Sequence, residues 1–297
     1  MKPDKRTINR INHIYNHRNG GINSERFYRD YSEGYRYSIG KVSSDTDFIS
    51  VEPEKSNLEQ LLRKKHYHNL SYDLEVAFEG AIYSLMRYGK AYIYINAEYE
   101  LKADDEEHTK RILSSLQIGE IKGVITSKSH TNIEFYGFGP IGNVIKHNYN
   151  PSGLLELKLK DLGYSQKYFT KIAKRIDKYD VISSKLIYGK NDGYDFSEHL
   201  KKSDIHQFRV TRKLGWIPRA DELSQSQYYY RKIQQNKFKS FMLDYVLKCV
   251  NEKLKTFLSL DSDGKLVVSY RINNYDELWE KYTSGCITAT ELASILQ

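Results

Sequence analysis

Residues 137–142 have the glycine spacing that phosphate-binding loops use. They read G-F-G-P-I-G, which fits the pattern Gly-x-Gly-x-x-Gly. In a dinucleotide site a helix follows the glycines, and its N-terminal amides hold the pyrophosphate. Here the next residues, NVIKHNYNPSG, predict a strand and a turn. We therefore expect a glycine-rich bend in a strand and no cofactor site.

A second motif, Asp261-Ser262-Asp263-Gly264, begins like a calcium-binding loop. It lacks the third carboxylate and the glutamate at the twelfth position that such a loop requires. A tight turn between a helix and a strand accounts for these residues, so we expect no metal here.

The remaining groups that could act in catalysis or bind metal are dispersed. His66 and His68 stand two residues apart on a predicted helix, where their side chains point to different sides, and Cys249 and Cys286 have no partner at metal-ligand spacing. The acidic run at 104–107 is typical of a solvated face. We find no P-loop lysine and no Gly-x-Ser-x-Gly motif. These patterns favour a protein that is not an enzyme, although an enzyme with a dispersed site is an alternative.

Basic and aromatic residues alternate in two places, as they do on nucleic-acid-binding surfaces. One cluster runs from Tyr228 to Lys232, and the other lies within residues 26–37. The formal net charge of +8 favours an anionic partner, but 38 acidic residues are spread among the 46 basic ones. The 26 tyrosines suit interfaces and stacking surfaces, and a coding bias toward Lys, Asn, Ile and Tyr would give the same count.

A long helix from Gln225 to Leu258 organises the chain. This stretch contains no Gly or Pro, and its apolar residues recur mainly at spacings of three and four. At about 1.5 Å per residue the helix spans roughly 50 Å, longer than the core of an average domain. It is a core helix with one solvated face, an element of an assembly, or a helix that faces nucleic acid.

The other patterns predict an α+β fold, a helical body with a long helix near the C-terminal third and a small antiparallel sheet. We divide the chain into a basic N-terminal arm at 1–50, a body at 51–223, and a C-terminal part at 224–297. Helices are expected at 56–69, 74–88, 104–116, 166–179, 275–282 and 288–296. Extended segments are expected at 91–100, 121–127, 132–139, 143–150, 154–162, 181–189, 205–223 and 265–272.

No apolar run approaches the roughly 20 residues that a membrane-spanning helix needs. The N-terminal residues lack the hydrophobic part of a signal peptide. We expect a protein made in the cytoplasm, with no membrane partner.

Three segments, in order, resemble the portal proteins of tailed phages. The stretch LEVAFEGAIYSLMRYGKAYIYIN resembles a portal helix that ends in a glycine, here Gly89, and continues into a strand that contains Tyr92. The end of the long helix, VLKCVNEKLKTF, is similar to a portal segment with an asparagine, here Asn251. The stretch YDELWEKYTSGCITATELASIL resembles a portal pattern of helix, glycine, threonine cap and helix, with Gly285, Thr288 and Glu291 at the matching positions.

This resemblance implies a ring, typically of twelve subunits, at one vertex of a phage or prophage capsid. A packaging motor drives double-stranded DNA through such a ring. It implies that the helix at 225–258 is the channel-lining stem, and we take Arg231, Lys232, Lys237 and Lys239 as the residues that face nucleic acid. The partners would be other copies of the chain, DNA, and capsid and packaging-motor proteins, with no cofactor. The alternative is a nucleic-acid-binding or phage-defence protein that uses its basic and tyrosine-rich surfaces.

Overall fold

The computed structural model describes residues 21–41, 47–65, 69–105, 108–121, 123–128, 133–138, 144–178, 196–218, 223–258 and 264–296. The α-helices are α1 (Ile22–Ser32), α2 (Tyr35–Ser38), α3 (Asn57–Arg63), α4 (Leu70–Tyr88), α5 (Gln166–Asp177), α6 (Phe196–Val210), α7 (Gln225–Leu258), α8 (Tyr275–Thr283) and α9 (Ala289–Leu296). The strands are β1 (Ile49–Glu52), β2 (Lys90–Asp105), β3 (His108–Glu120), β4 (Gly123–Lys128), β5 (Ile133–Phe138), β6 (Val144–Tyr149), β7 (Leu154–Lys158) and β8 (Lys265–Val268).

The predicted long helix is continuous, and most of its apolar stripe is covered by its own chain. Helix α7 comprises 34 residues, and the side chains of Ile233, Met242, Val246 and Val250 are completely buried. Its apolar residues recur every three or four positions because that spacing places them on one side of a helix. Phe241 is an exception, with 44% of its surface exposed. Helix α7 is therefore a core helix of the subunit as well as its longest element.

The strands form three small antiparallel sheets, which confirms the predicted fold class. Their orders are β1-β8, β3-β2-β7 and β4-β5-β6. Strand β2 pairs with β7 only from Lys90 to Tyr94, whereas its pairing with β3 continues to Asp105. Among the described strands, the β2–β3 hairpin beyond Tyr94 is thus a ribbon of two strands.

Helix α4 leads directly into this hairpin, as its sequence predicts. The side chain of Asn69 accepts a hydrogen bond from the backbone of Tyr72 and caps the start of the helix. Gly89 ends it with φ of 77°, a left-handed conformation that glycine adopts without strain. The α4 face that contains Phe78 and Ile82 is buried, as are Ile93 and Ile95 of β2.

Residues 21–41 differ from the basic arm predicted for 1–50, because they fold into α1 and α2 and supply part of the core. Phe27 and Tyr31 are fully buried and meet Trp216 and Phe238 edge to face. These aromatic side chains repeat at helical spacing, but the charged residues between them obscure the pattern in the sequence. Residues 1–20 lie outside the described residues.

Two further segments depart from the sequence expectations. The polar helix expected at 104–116 is wrong, because β3 occupies that region and pairs with β2 along its length. Pairing with a neighbouring strand outweighs weak local helix propensity. The extended segment expected at 205–223 is also wrong in its first part, since α6 continues to Val210. The strand expected at 181–189 lies outside the described residues.

One hydrophobic core joins the three predicted parts of the chain. It contains Phe27 from the first, Phe78 and Phe169 from the second, and Val246 and Leu292 from the third. Gly215 shows how closely the parts approach, since a Cβ atom there would lie 2.3 Å from the carbonyl oxygen of Arg231 in α7.

Candidate functional site

Two of the four residues expected to face nucleic acid are inside the protein. Arg231 is 8% exposed and donates hydrogen bonds to the carbonyl oxygens of Trp216 and Phe208, at 2.9 and 2.5 Å. Lys239 is 3% exposed, and its Nζ donates to the carbonyl oxygen of Glu33 at 2.6 Å. Both cations satisfy backbone carbonyls near helix ends. In this conformation neither side chain can reach a nucleic acid.

The other two predicted cations differ from each other. Lys237 is exposed, and its Nζ lies 2.6 Å from a carboxylate oxygen of Asp276 on α8. Lys232 is half-buried, and burial together with the nearby charge of Arg271 lowers its pKa. The structure therefore does not bring the four cations together on one exposed face of α7.

Most of the tyrosine-rich cluster at 26–37 is also unavailable as a stacking surface, although Tyr37 is 73% exposed. The rings of Phe27, Tyr31 and Tyr35 are in the core. The guanidinium of Arg36 lies 3.2 Å from the carboxylate of Glu75. Base stacking needs exposed ring faces, so the rings of Phe27, Tyr31 and Tyr35 act in packing.

A basic surface that the sequence interpretation did not single out lies along α5. The side chains of Lys167, Lys171, Lys174, Arg175 and Lys178 are all exposed and line a shallow groove of about 500 Å³. The opposite side of α5, which includes Phe169, Ile172 and Ile176, is buried. We call the five exposed cations the α5 basic face.

The spacing of the α5 basic face suits a polyanion. Lys167, Lys171, Lys174 and Lys178 follow one another at intervals of four, three and four residues, which is roughly 4.5 to 6 Å along a helix. Within the part of the chain that the structure describes, Lys167, Lys171 and Lys174 have no carboxylate partner. Unpaired cations in a row can bind phosphates of a nucleic-acid backbone.

The surroundings of this face are also cationic. His206 of α6 contacts the carbonyl oxygen of Arg175 through Nε2 at 3.1 Å. Burial and the charges of Lys178, Arg175 and Arg209 lower the pKa of His206. The imidazole is therefore neutral near pH 7, and Arg209 extends the positive potential onto α6. This face could have been identified from the sequence, because the lysines recur every three or four residues within the helix predicted at 166–179.

The β2–β3 hairpin beyond Tyr94 carries apolar side chains in solvent. We call this part, residues 95–105 and 108–118, the ribbon. Leu101 is 73% exposed and Tyr99 is 42% exposed, and their alternation places both on one face. Ile112, which is paired with Glu100, lies on the other face and is 39% exposed.

A polar cleft of about 590 Å³ lies between α1 and α7. Its lining includes Asp30, Glu33, Ser38, Lys232, Asn236 and Lys239. The two acidic residues are engaged, because Asp30 accepts a hydrogen bond from Trp216 Nε1 at 2.8 Å and lies near Arg26, while Glu33 lies near Arg29. Asn236 is 1% exposed and donates from Nδ2 to the carbonyl oxygen of Ser38 at 3.0 Å.

The three portal-like segments have well-defined local structures. Asn251 of α7 holds strand β8 by two hydrogen bonds to the backbone of Leu266, at 2.9 and 2.8 Å. Gly285 adopts φ of 77° after α8. Thr288 and Glu291 then form a capping box, in which each side chain accepts a hydrogen bond from the backbone N–H of the other residue.

The structure identifies no metal site among the residues it describes, because no group of three or more His, Cys, Asp or Glu side chains converges there. His66, His68, the acidic residues of the 261–264 turn and most of the 137–142 glycine motif lie outside the described residues. None of the described helices combines the length and apolar composition needed to cross a lipid bilayer.

The chain matches no protein-family model and none of the curated proteins with which it was compared. Function is therefore inferred from the geometry of the chain and from the resemblance of its three segments to portal proteins.

Proposed function

We propose that this protein is a structural, ring-forming subunit of the portal type, which provides a channel for DNA in a phage or prophage particle. The observation that carries the proposal is the ribbon with its exposed apolar residues. The order of the three portal-like segments, all of which belong to one folded unit, supports it further.

The ribbon needs a neighbour for physical reasons. A hairpin of two strands is marginally stable in water by itself. Its outer half pairs with no third strand among the described residues, and Leu101 exposes 73% of its surface there. A second copy of the chain that covers this surface would bury the apolar side chains and occupy a strand edge. Repeated around an axis, such contacts close into a ring.

In this proposal α7 belongs to the core of each subunit, and DNA contacts a different helix. The burial of Arg231 and Lys239 removes them from the channel. The α5 basic face instead provides the phosphate contacts. Capsid and packaging-motor proteins are the expected further partners, and the assembled protein belongs to the virion.

Mass photometry of the purified chain tests the ring, with Leu101→Asp as the perturbation. The aspartate places a charge where the neighbouring copy would bury leucine, so the assembled species should dissociate into smaller ones. Ile205→Asp is the matched control, because Ile205 is 48% exposed on α6, outside the ribbon. A wild-type protein that remains monomeric, or an assembly equally sensitive to both substitutions, would contradict the proposal.

The α5 basic face favours a second candidate, a nucleic-acid-binding or phage-defence protein that acts without forming a ring. This candidate predicts DNA or RNA binding by a small species, with no effect of Leu101→Asp on affinity. The ring proposal predicts that Leu101→Asp weakens DNA binding as well, because separate subunits lose the combined affinity of many contacts.

A further inference from the structure

Aromatic side chains lie at the N-terminal end of the α5 basic face. Tyr164 precedes α5 and Tyr168 lies in its first turn, and their ring centroids are 5.8 Å apart. Phe241 of α7 completes the group, with its ring centroid 6.4 Å from that of Tyr164. Phe241 exposes 44% of its surface, and both tyrosines are partly exposed. We call these three side chains the aromatic edge.

The core holds the aromatic edge from behind. The Tyr164 ring meets the buried Phe238 edge to face at 5.7 Å, and the Tyr168 ring meets the buried Phe169 in the same way at 5.2 Å. Because these rings are already fixed, a ligand that stacks on them causes little loss of side-chain freedom. Within the described part of the chain, the hydroxyl groups of the two tyrosines have no hydrogen-bond partner.

The aromatic edge is continuous with the cations of α5. Tyr168, Lys171 and Arg175 follow one another at intervals of three and four residues, which places them on one stripe of the helix. Neighbouring side chains of such a stripe are about 5–6 Å apart at Cβ. Asp177 is the one acidic residue of α5, and its carboxylate accepts hydrogen bonds from two backbone N–H groups at the start of α1, at 3.0 and 2.9 Å. The cationic stripe therefore keeps its charge.

We propose that the aromatic edge and the α5 basic face together bind a single-stranded nucleic acid in preference to a duplex. Unpaired bases stack on the exposed surfaces of Tyr168 and Phe241. The phosphates of the same strand contact Lys171 and its neighbours on α5. This inference rests on the phosphate contacts that the proposed function assigns to α5, and it does not depend on ring assembly.

The combination of rings and cations favours an unpaired strand over other polyanions. In a duplex the bases are already stacked on one another, so a duplex can use the cations but not the rings. An acidic peptide also offers negative charge without bases. A base that stacks on an aromatic side chain adds affinity whatever its identity, because every base has a π-face. The surface should therefore bind unpaired strands with little preference for sequence.

Fluorescence anisotropy of the full chain tests this preference. The probes are a labelled oligothymidylate and a labelled duplex of the same length, and polyglutamate serves as an unlabelled competitor. We expect the single strand to bind about tenfold more tightly than the duplex at the same salt concentration, because stacking adds to the phosphate contacts. An oligouridylate of equal length separates RNA from DNA, and tight binding of either single strand supports the inference.

Substitutions separate stacking from charge. Tyr168→Leu and Phe241→Leu remove a ring but keep apolar bulk, so each should weaken single-strand binding about tenfold and leave duplex binding unchanged. Neither should alter the salt dependence, because neither removes a cation. Tyr168→Phe keeps the ring and should retain binding. Tyr72→Leu is the matched control, since Tyr72 is 60% exposed at the start of α4, outside this surface. Circular dichroism shows that each variant is folded.

The inference is overturned if the duplex or polyglutamate binds as tightly as the single strand. It is also overturned if both leucine substitutions leave single-strand affinity unchanged, or if Tyr72→Leu lowers it equally. Binding of the duplex alone would contradict this inference and leave the phosphate contacts of α5 in place. Absence of binding to every nucleic acid would contradict both.

Discussion

Replacement of three lysines on the α5 basic face should alter how DNA binding depends on salt. We consider the variant Lys167→Gln, Lys171→Gln and Lys174→Gln. These side chains are exposed and have no carboxylate partner among the described residues, so they are free to contact phosphates. Lysine and glutamine have similar helix propensities, so α5 should remain folded.

The magnitude of the change follows from the number of lysines that are replaced. The triple variant loses three phosphate contacts per subunit, so the slope of log affinity against log salt should become less steep by about 2.7. The fall in affinity between about 50 and 200 mM salt should therefore be about 40-fold smaller in the variant than in the wild type.

Fluorescence anisotropy with a labelled DNA duplex at several salt concentrations measures both slopes. The charge-matched control is Lys248→Gln, Lys255→Gln and Lys265→Gln, in which three exposed lysines outside α5 are replaced. Both variants lower the formal net charge of +8 by three. A slope that is unchanged in the α5 variant, or equally reduced in both variants, would refute the assignment of DNA binding to α5.

Three further predictions concern stability. Asn251→Ala removes both hydrogen bonds to Leu266 and should lower the free energy of unfolding by about 2 kcal/mol in urea denaturation. Burial alone would raise the pKa of Glu25, but hydrogen bonds from Tyr83 and Arg87 outweigh burial and lower the pKa. The ionised Glu25 therefore stabilises the fold above its unfolded-state pKa, and this stabilisation is lost as pH falls. Glu25→Gln should reduce the acid sensitivity of the free energy of unfolding. Burial lowers the pKa of Lys239 to about 8. Above that pH Lys239 loses its proton in the folded chain but keeps it in the unfolded chain, so the free energy of unfolding should rise toward about pH 9.5. Lys239→Met should abolish this rise.

Each of these predictions has a nearby control. Asn251→Asp keeps the acceptor for the Leu266 amide and should cost less than Asn251→Ala. Glu33→Gln replaces an exposed carboxylate at the end of α1 and should leave the acid sensitivity unchanged. Lys237→Met changes an exposed lysine and should preserve the rise in stability above pH 8. Equal behaviour of variant and control in any pair would contradict the physical reason given for it.

The structure agrees with the sequence where local signals decide the conformation. Gly89 at the end of α4 and the Thr288 and Glu291 capping box are examples, because each depends on residues within one helical turn. The unbroken periodicity of α7 likewise predicts its length. These features required no knowledge of distant contacts.

Partners remote in sequence decide the features that were missed. Lys239 and Arg231 are buried because carbonyl groups of Glu33, Phe208 and Trp216 accept their hydrogen bonds. Spacing alone places these cations on polar sides of α7 and suggests exposure.

Negative-stain electron microscopy of the wild-type protein tests the ring most directly. The proposal predicts closed rings with a central channel, and twelve copies of the 34.9 kDa chain would have a mass of roughly 420 kDa. Images that contain only small particles of the size of a single chain, from a sample of folded protein, would contradict it.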